Sequence, residues 1–292
     1  MPEEFVHISV LREELVDGLD IRDDGHYLDV TLGGGGHTEL ILQRSPTCRV
    51  TAVDRDAMAI EAASVRLKGF GDRLKIVRSN FAEFEPFGQK FDGIIADLGV
   101  SSAQFDQGDR GFSFRMDAPL DMRMDQRQNL SAADIVNRYG EKDLADIFYE
   151  YGEERLARKI AKKIVDQRPI HTTKELENIV FYTYHPKARK GRLHPATKVF
   201  QALRIAVNGE LEALKGLLDK TPQWLNPGGK IGIISFHSLE DRIVKNTFRG
   251  HDLLRVVTKK PIVATAAEIN RNPRARSAKL RFAEAKDITV ET

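Results

Sequence analysis

The stretch from Tyr27 to His37 constrains the fold of this 292-residue chain more than any other. Its first part, Tyr27-Leu-Asp-Val30, reads as a short buried strand, and it runs directly into Thr31-Leu-Gly-Gly-Gly-Gly-His37. A helical pattern from Thr38 to Gln43 follows. Strand, glycine turn and helix in that order put backbone N–H groups and a helix N-terminus where a nucleotide-like ligand can approach closely. A flexible tight turn has the same local signature. The NAD fingerprint fits poorly, because Thr38 stands where a third Gly or Ala is expected, and no GKS or GKT exists for a P-loop.

The pattern around this turn repeats. Strand-like segments at His26 to Val30, Val50 to Val53, Leu74 to Val77 and Gly93 to Ala96 alternate with helical stretches such as Ala57 to Leu67, which predicts an α/β fold with a parallel sheet. From Ser131 the chain turns helical without intervening strands: a cap-like Ser131-Ala-Ala-Asp134, then Asp143 to Tyr149. Next comes a helix with Leu156, Ile160 and Ile164 on one face and Arg158, Lys159, Lys162 and Lys163 largely on the other. Thr172-Thr-Lys-Glu175 is a capping box opening a further helix, and Pro186 to Arg192 reads as a basic loop. The α/β pattern resumes with a helix near Leu211 to Leu225, a turn at Asn226-Pro-Gly-Gly229 and a strand at Lys230 to Ser235. Leu254 to Thr258 and Ala278 to Phe282 are compatible with a terminal antiparallel hairpin. The expectation is a discontinuous α/β domain of residues 1–109 and 206–292, interrupted by a helical insert at 110–205.

Charge separates along the same lines. Residues 1–110 carry 12 Lys+Arg against 20 Asp+Glu, residues 155–204 carry 13 against 3, and residues 242–286 carry 12 against 3. Segregated positive charge suits a nucleic-acid binder, since phosphate neutralisation supplies much of its affinity, although a basic helix face is often merely solvated. A hydrophobic fraction of 41% with 30% charged residues belongs to a globular chain. No apolar run approaches the roughly 18 residues of a membrane span, and the start Met1-Pro2-Glu3-Glu4 lacks signal-peptide features, so a cytoplasmic protein is expected. The single cysteine, Cys48, and the absence of an HExxH-like spacing predict neither a disulfide nor a metal site.

Three further positions point at the crevice that the glycine turn opens. Asp54 ends the second strand, where a carboxylate can accept both hydroxyls of a ribose, in NAD and S-adenosylmethionine alike. Asn80-Phe81 follows the third strand and offers an amide and an aromatic face near the adenine position, although Phe81 is equally suited to the core. Asp97 follows Gly-Ile-Ile-Ala at the end of the fourth strand, and a carboxylate there is costly to bury without a role or a partner.

Eight ordered blocks then single out a family. They are Thr31-Leu-Gly-Gly-Gly-Gly-His37, Asp97-Leu-Gly-Val-Ser-Ser102, Arg110-Gly-Phe-Ser-Phe114, Pro119-Leu-Asp-Met-Arg-Met-Asp125, Tyr151-Gly-Glu-Glu-Arg155, Phe200-Gln-Ala-Leu-Arg204, Ile234-Ser-Phe-His-Ser-Leu-Glu-Asp-Arg242 and Asn272-Pro-Arg-Ala-Arg-Ser277. In these the chain resembles the bacterial 16S rRNA cytosine-N4 methyltransferases from His7 almost to its C-terminus. The resemblance implies a class I S-adenosylmethionine-dependent methyltransferase (Rossmann-like) sheet with an inserted all-helical domain. It also implies S-adenosylmethionine as methyl donor and a decoding-centre cytidine of 16S rRNA, in the small ribosomal subunit, as acceptor. Carried over residue by residue, it implies a cofactor site at Gly35, Gly36, His37, Asp54, Phe81, Asp97 and Gln104.

For the chemistry, Asp97 is the candidate acceptor of an amine proton. DNA amino-methyltransferases carry an Asp/Ser-Pro-Pro-aromatic motif at the corresponding strand end, whereas this chain has Asp97-Leu-Gly-Val, so the stacking aromatic must come from elsewhere; Phe105, Phe112 and Phe114 are candidates. Ser235 and His237, after the fifth strand, are candidate contacts to the base, and Arg274 and Arg276 candidate contacts to rRNA phosphates. A non-catalytic RNA-binding assembly factor and an NAD-dependent oxidoreductase are the competing readings; the missing third glycine disfavours the second.

Overall fold

A computed structural model describes residues 9–99, 108–191 and 193–287. The chain forms two compact units: one from the segments before residue 102 and after residue 210, the other from residues 102–210.

The first unit is built on a seven-stranded sheet of order β3-β2-β1-β4-β5-β7-β6. The strands are β1 (His26–Asp29), β2 (Arg49–Asp54), β3 (Leu74–Arg78), β4 (Phe91–Asp97), β5 (Leu225–Ser235), β6 (Leu254–Val256) and β7 (Lys279–Ala285). Strands β3, β2, β1, β4 and β5 pair in parallel, while β7 runs antiparallel to both β5 and β6. This order with a reversed β7 is the class I methyltransferase arrangement that the sequence resemblance implied. Both faces of the sheet are covered, which is why its central strands are nearly continuous apolar runs. Alternate residues serve opposite faces: Ile95 joins one core cluster with Leu15, Leu19, Ile41 and Phe282, whereas Ile94 and Ala96 join another with Leu217, Trp224 and Phe248.

Helices α1 (Arg12–Leu19), α2 (Gly36–Arg44) and α3 (Ala57–Arg66) belong to this unit. The sequence reading found the last two and missed the first. The turn expected at Asn226 to Gly229 is instead an irregularity inside β5, where pairing with β4 shifts register between Phe91 and Gly93 and Gly228 takes a φ of +73°.

In the second unit, α4 (Ala132–Arg138), α5 (Glu141–Glu150), α6 (Ala157–Asp166), α7 (Thr173–Thr183) and α8 (Thr197–Asn208) follow one another without a strand. Ser131 and Thr172 form the predicted N-terminal caps, each reciprocated by the acid three residues on, Asp134 and Glu175. Helix α6 buries Ala157, Ile160, Ala161 and Ile164 and leaves Arg158, Lys159 and Lys162 exposed, the division its spacing foretold. Three more α-helices among the described residues are α9 (Glu210–Trp224), α10 (Ser238–Gly250) and α11 (Ala266–Arg271). Among the described residues, no helix is long and apolar enough to cross a membrane.

Candidate active site

Strand order reverses between β1 and β4, and open α/β sheets bind ligands outside the carboxyl ends of the strands at such a switch point. The sequence brings Asp29, Thr31 and the glycine turn to the end of β1, Asp54 to the end of β2, Asp97 to the end of β4 and Ser235 to the end of β5.

The turn is held from inside. Gly33 N–H donates to Asp54 Oδ2 (2.8 Å), and Asp54 Oδ1 accepts from Asp56 N–H (2.9 Å). Burial raises the Asp54 carboxyl while these two N–H donors pull it back down. Gly33 and Gly35 both sit at positive φ, +49° and +79°. At Gly35 a Cβ would lie 2.9 Å from Leu67 Cδ1, and at Gly36 one would lie 2.1 Å from Ser9 Oγ. Two of the four glycines therefore have a packing requirement of their own, apart from any ligand.

Asp29 is fully buried behind the turn, where Oδ2 accepts from Thr38 Oγ1 (2.7 Å) and Oδ1 from Thr31 N–H (3.0 Å). Desolvation outweighs these bonds and pushes its carboxyl up to about 6. Thr31 Oγ1 in turn accepts from Asp97 N–H (2.6 Å), so the two strand ends are tied through one hydroxyl.

Asp97 keeps 24% of its side chain accessible, but Oδ1 is enclosed and has no hydrogen-bond partner among the described residues. Burial, then the nearby charges of Asp29 and Glu240, raise this carboxyl well above the usual carboxylate range. Its Oδ2 lies 3.8 Å from His37 Nδ1. His37 is buried in the first turn of α2 and its Nε2 bonds the Val10 carbonyl (3.1 Å); a carbonyl only accepts, so Nε2 carries the proton. It is thus an anchor within the helix, whereas the cap position belongs to Gly35.

On the β5 side, Ser235 is buried and its hydroxyl donates to the Lys279 carbonyl of β7 (3.3 Å). His237 caps α10: Nδ1 accepts from Glu240 N–H (3.4 Å), and Glu240 Oε2 accepts from Phe236 N–H (2.8 Å) and His237 N–H (3.3 Å). His237 Nε2 lies 3.1 Å from Glu240 Oε1 without hydrogen-bond alignment and is a second buried, unspent polar atom.

Phe81 is half-buried against the core cluster containing Phe84 and Trp224. Arg274 and Arg276 lie in a short 3₁₀ turn, Pro273–Ser277, with Arg276 exposed and Arg274 half-buried. Phe112 is buried, and Phe114 stacks on His194 at 4.7 Å and meets Phe200 edge to face at 5.1 Å. Both aromatics therefore pack within the helical unit. Gln104 and Phe105 lie outside the described residues.

The reading from sequence missed Thr31, Thr38, Asp29 and Glu240 as parts of the site. Glu240 had a signal: an acid three residues after a helix-opening His237 is the spacing of a capping box, with histidine in place of the usual Ser or Thr.

The donor set fits a nucleoside cofactor that carries a diol. A carboxylate offers about four lone-pair positions, and Asp54 has spent two, leaving acceptors at the mouth of the glycine turn. Asp97 Oδ1 and His237 Nε2, beyond the adjacent ends of β4 and β5, remain for a second ligand.

The model of the MraW methylase family matches residues 4–286. A protein of Picosynechococcus sp. called "Ribosomal RNA small subunit methyltransferase H" is 74% identical over 289 residues, covering 99% of this chain and 100% of that one. Proteins of the same name from Acaryochloris marina and Gloeothece citriformis are 59% and 58% identical, each covering 97% of this chain and 95% of the relative.

Proposed function

Since the chain belongs to the MraW methylase family, we propose that it methylates the N4 amine of a decoding-centre cytidine in 16S rRNA, using S-adenosylmethionine on the assembled small ribosomal subunit. The observation that carries this reading is Asp97: a carboxyl with one enclosed, unspent oxygen at the strand switch point, beside the cofactor turn.

When bound, S-adenosylmethionine supplies a methyl group activated by its sulfonium. The cytosine amine is a weak nucleophile because its lone pair is delocalised into the ring, so the protein's task is alignment and withdrawal of that delocalisation. Asp97 Oδ1 accepts an amine hydrogen bond, and the burial and neighbouring charges that raise this carboxyl make its ionised form a stronger base than a solvated aspartate. Asp97 thereby draws electron density to the amine nitrogen and takes its proton as the new N–C bond forms. The carboxylate is placed by Thr31, which holds the Asp97 backbone N–H. Asp54 holds the cofactor's ribose hydroxyls, and Gly35 and Gly36 shape the turn around it. His237, with Nε2 unspent, contacts the base, and Arg276 on the surface contacts rRNA phosphate, with Arg274 beside it. Ser235 supports this end of β5 by its bond to β7.

Purified protein incubated with S-adenosylmethionine and small subunits, followed by mass spectrometry of the digested nucleosides, tests the reading. N4-methylcytidine in 16S rRNA is expected; methylation of another atom, or of protein alone, overturns it.

A further inference from the structure

Helices α6 and α7 border a cleft of about 370 Å3 in the helical unit, remote in sequence from every residue assigned above. Its buried apolar wall is Ile170 and Ile179. Lys163 and Gln167 line it from the C-terminal end of α6, and Asn178 and Tyr182 from α7. Each pair is spaced by four residues and so shares a helix face.

The polar groups here are unspent. Among the described residues the side chains of Lys163, Gln167 and Asn178 make no hydrogen bond or ion pair. The one carboxylate lining the cleft, Glu175, is already engaged: its Oε2 accepts from the N–H groups of His171 (2.6 Å) and Thr172 (3.2 Å) at the cap of α7. Tyr182 is 61% exposed, yet its ring is held in place. The Arg189 guanidinium sits 4.9 Å from its centroid and 5.0 Å from that of Phe181, and the two rings meet edge to face at 5.4 Å. Arg189 itself is fixed by Nε donating to the Tyr184 carbonyl (2.9 Å). An exposed aromatic backed by a fixed cation is a preorganised stacking platform.

We propose that this cleft receives a single unpaired nucleotide of the RNA substrate, other than the one methylated. The base stacks on Tyr182, Gln167 and Asn178 meet its edges, and Lys163 meets its phosphate. Amides suit base edges because each offers both donor and acceptor, and a cleft of this size admits one nucleotide and excludes a duplex. The excess of 13 Lys+Arg over 3 Asp+Glu in residues 155–204 supplies the field that draws a polyanion to this surface. The inference rests on the rRNA reading above and adds to it a second anchor that sets where the substrate is gripped.

The test measures binding of small ribosomal subunits by Tyr182→Ala, Tyr182→Phe and Lys163→Ala variants, with wild-type methylation assayed in the same preparations. Tyr182→Ala should weaken subunit binding about tenfold, as loss of one base–aromatic stack does, and raise KM without changing kcat. Tyr182→Phe should bind within about twofold of wild type, and Lys163→Ala should reduce the salt dependence by roughly one phosphate contact. All three should keep the wild-type melting temperature and S-adenosylmethionine affinity. A photo-crosslinking amino acid at position 178 should attach to rRNA; attachment to a ribosomal protein instead overturns the inference. So does wild-type binding by Tyr182→Ala and Lys163→Ala while the wild-type enzyme methylates rRNA. Failure of the wild type itself to methylate rRNA removes the functional reading on which the inference stands.

Discussion

His37 Nδ1 and Asp97 Oδ2 face each other at 3.8 Å, across the junction between the glycine turn and the end of β4. That separation is too long for a hydrogen bond, so the two are related by shared placement. The placement comes from the other side of the imidazole, where Nε2–H is committed to Val10. Replacing His37 by Ala leaves a buried carbonyl without its donor, a loss of about 1–3 kcal/mol that thermal melts will show. His37→Gln restores a donor and should regain part of it. An Ala variant as stable as wild type would show that the Val10 bond contributes nothing.

Asp97→Asn separates catalysis from stability. The amide cannot take a proton, and kcat should fall by about 100- to 10,000-fold while RNA binding persists. Stability should move the other way at neutral pH. Ionising Asp97 works against burial and the charges of Asp29 and Glu240, and an amide, neutral at every pH, escapes that penalty. A higher melting temperature with lost activity is expected; methylation at the wild-type rate would remove Asp97 from the chemistry.

The core of the fold was legible because it rests on local pattern: β1 to β4 are short apolar runs, and the caps at Ser131 and Thr172 announce α4 and α7. Helix α1 was not, because Gly18, a weak helix former, stands inside it for a reason no local window contains. A Cβ at Gly18 would lie 2.2 Å from the ring of Phe282, on the last strand. In the site, Asp97 was legible from the cost of burying a carboxylate after Gly-Ile-Ile-Ala. Its dependence on Thr31, and the Asp29–Thr38 bond, were not, since side-chain pairing across a turn is decided by tertiary geometry.

Two glycines test how far backbone conformation rather than space is limiting. Gly35→Ala meets both obstacles, a φ of +79° and the Leu67 side chain at 2.9 Å, and should cost about 1–3 kcal/mol. It should also weaken S-adenosylmethionine binding in calorimetry, because the turn must deform. Gly216 lies within α9, and a Cβ there would meet nothing within 4 Å, so Gly216→Ala should stabilise by about 0.5–1 kcal/mol and leave cofactor affinity alone. Equal effects of the two substitutions would contradict this account of the turn.

Asp29 should make stability fall as pH rises through a window where most carboxylates are silent. Its folded carboxyl titrates near 6 against an ordinary 3.8, so the folded state holds the proton more tightly than the unfolded chain. The resulting stabilisation is complete below pH 3.8 and lost as pH rises to about 6; at about 1.36 kcal/mol per pH unit the loss is roughly 3 kcal/mol. Asp121, Asp134 and Asp241 have lowered values, and their contributions decline only as pH falls below the ordinary carboxylate range. They leave the window between pH 4 and 6 to the buried acids and to His26, whose imidazole burial lowers from 6.5 and whose contribution therefore grows as pH rises, opposing the acids. Asp29→Asn, whose amide can still accept from Thr31 N–H, should flatten the decline in denaturant-derived stability across that window. The same substitution removes a like charge beside Asp97, lowering the pH at which Asp97 ionises, so the ascending limb of the pH–rate profile should move to lower pH. An unchanged limb would place Asp29 outside the electrostatics of the reacting carboxyl, and an unchanged stability slope would mean that its burial is compensated in the folded protein.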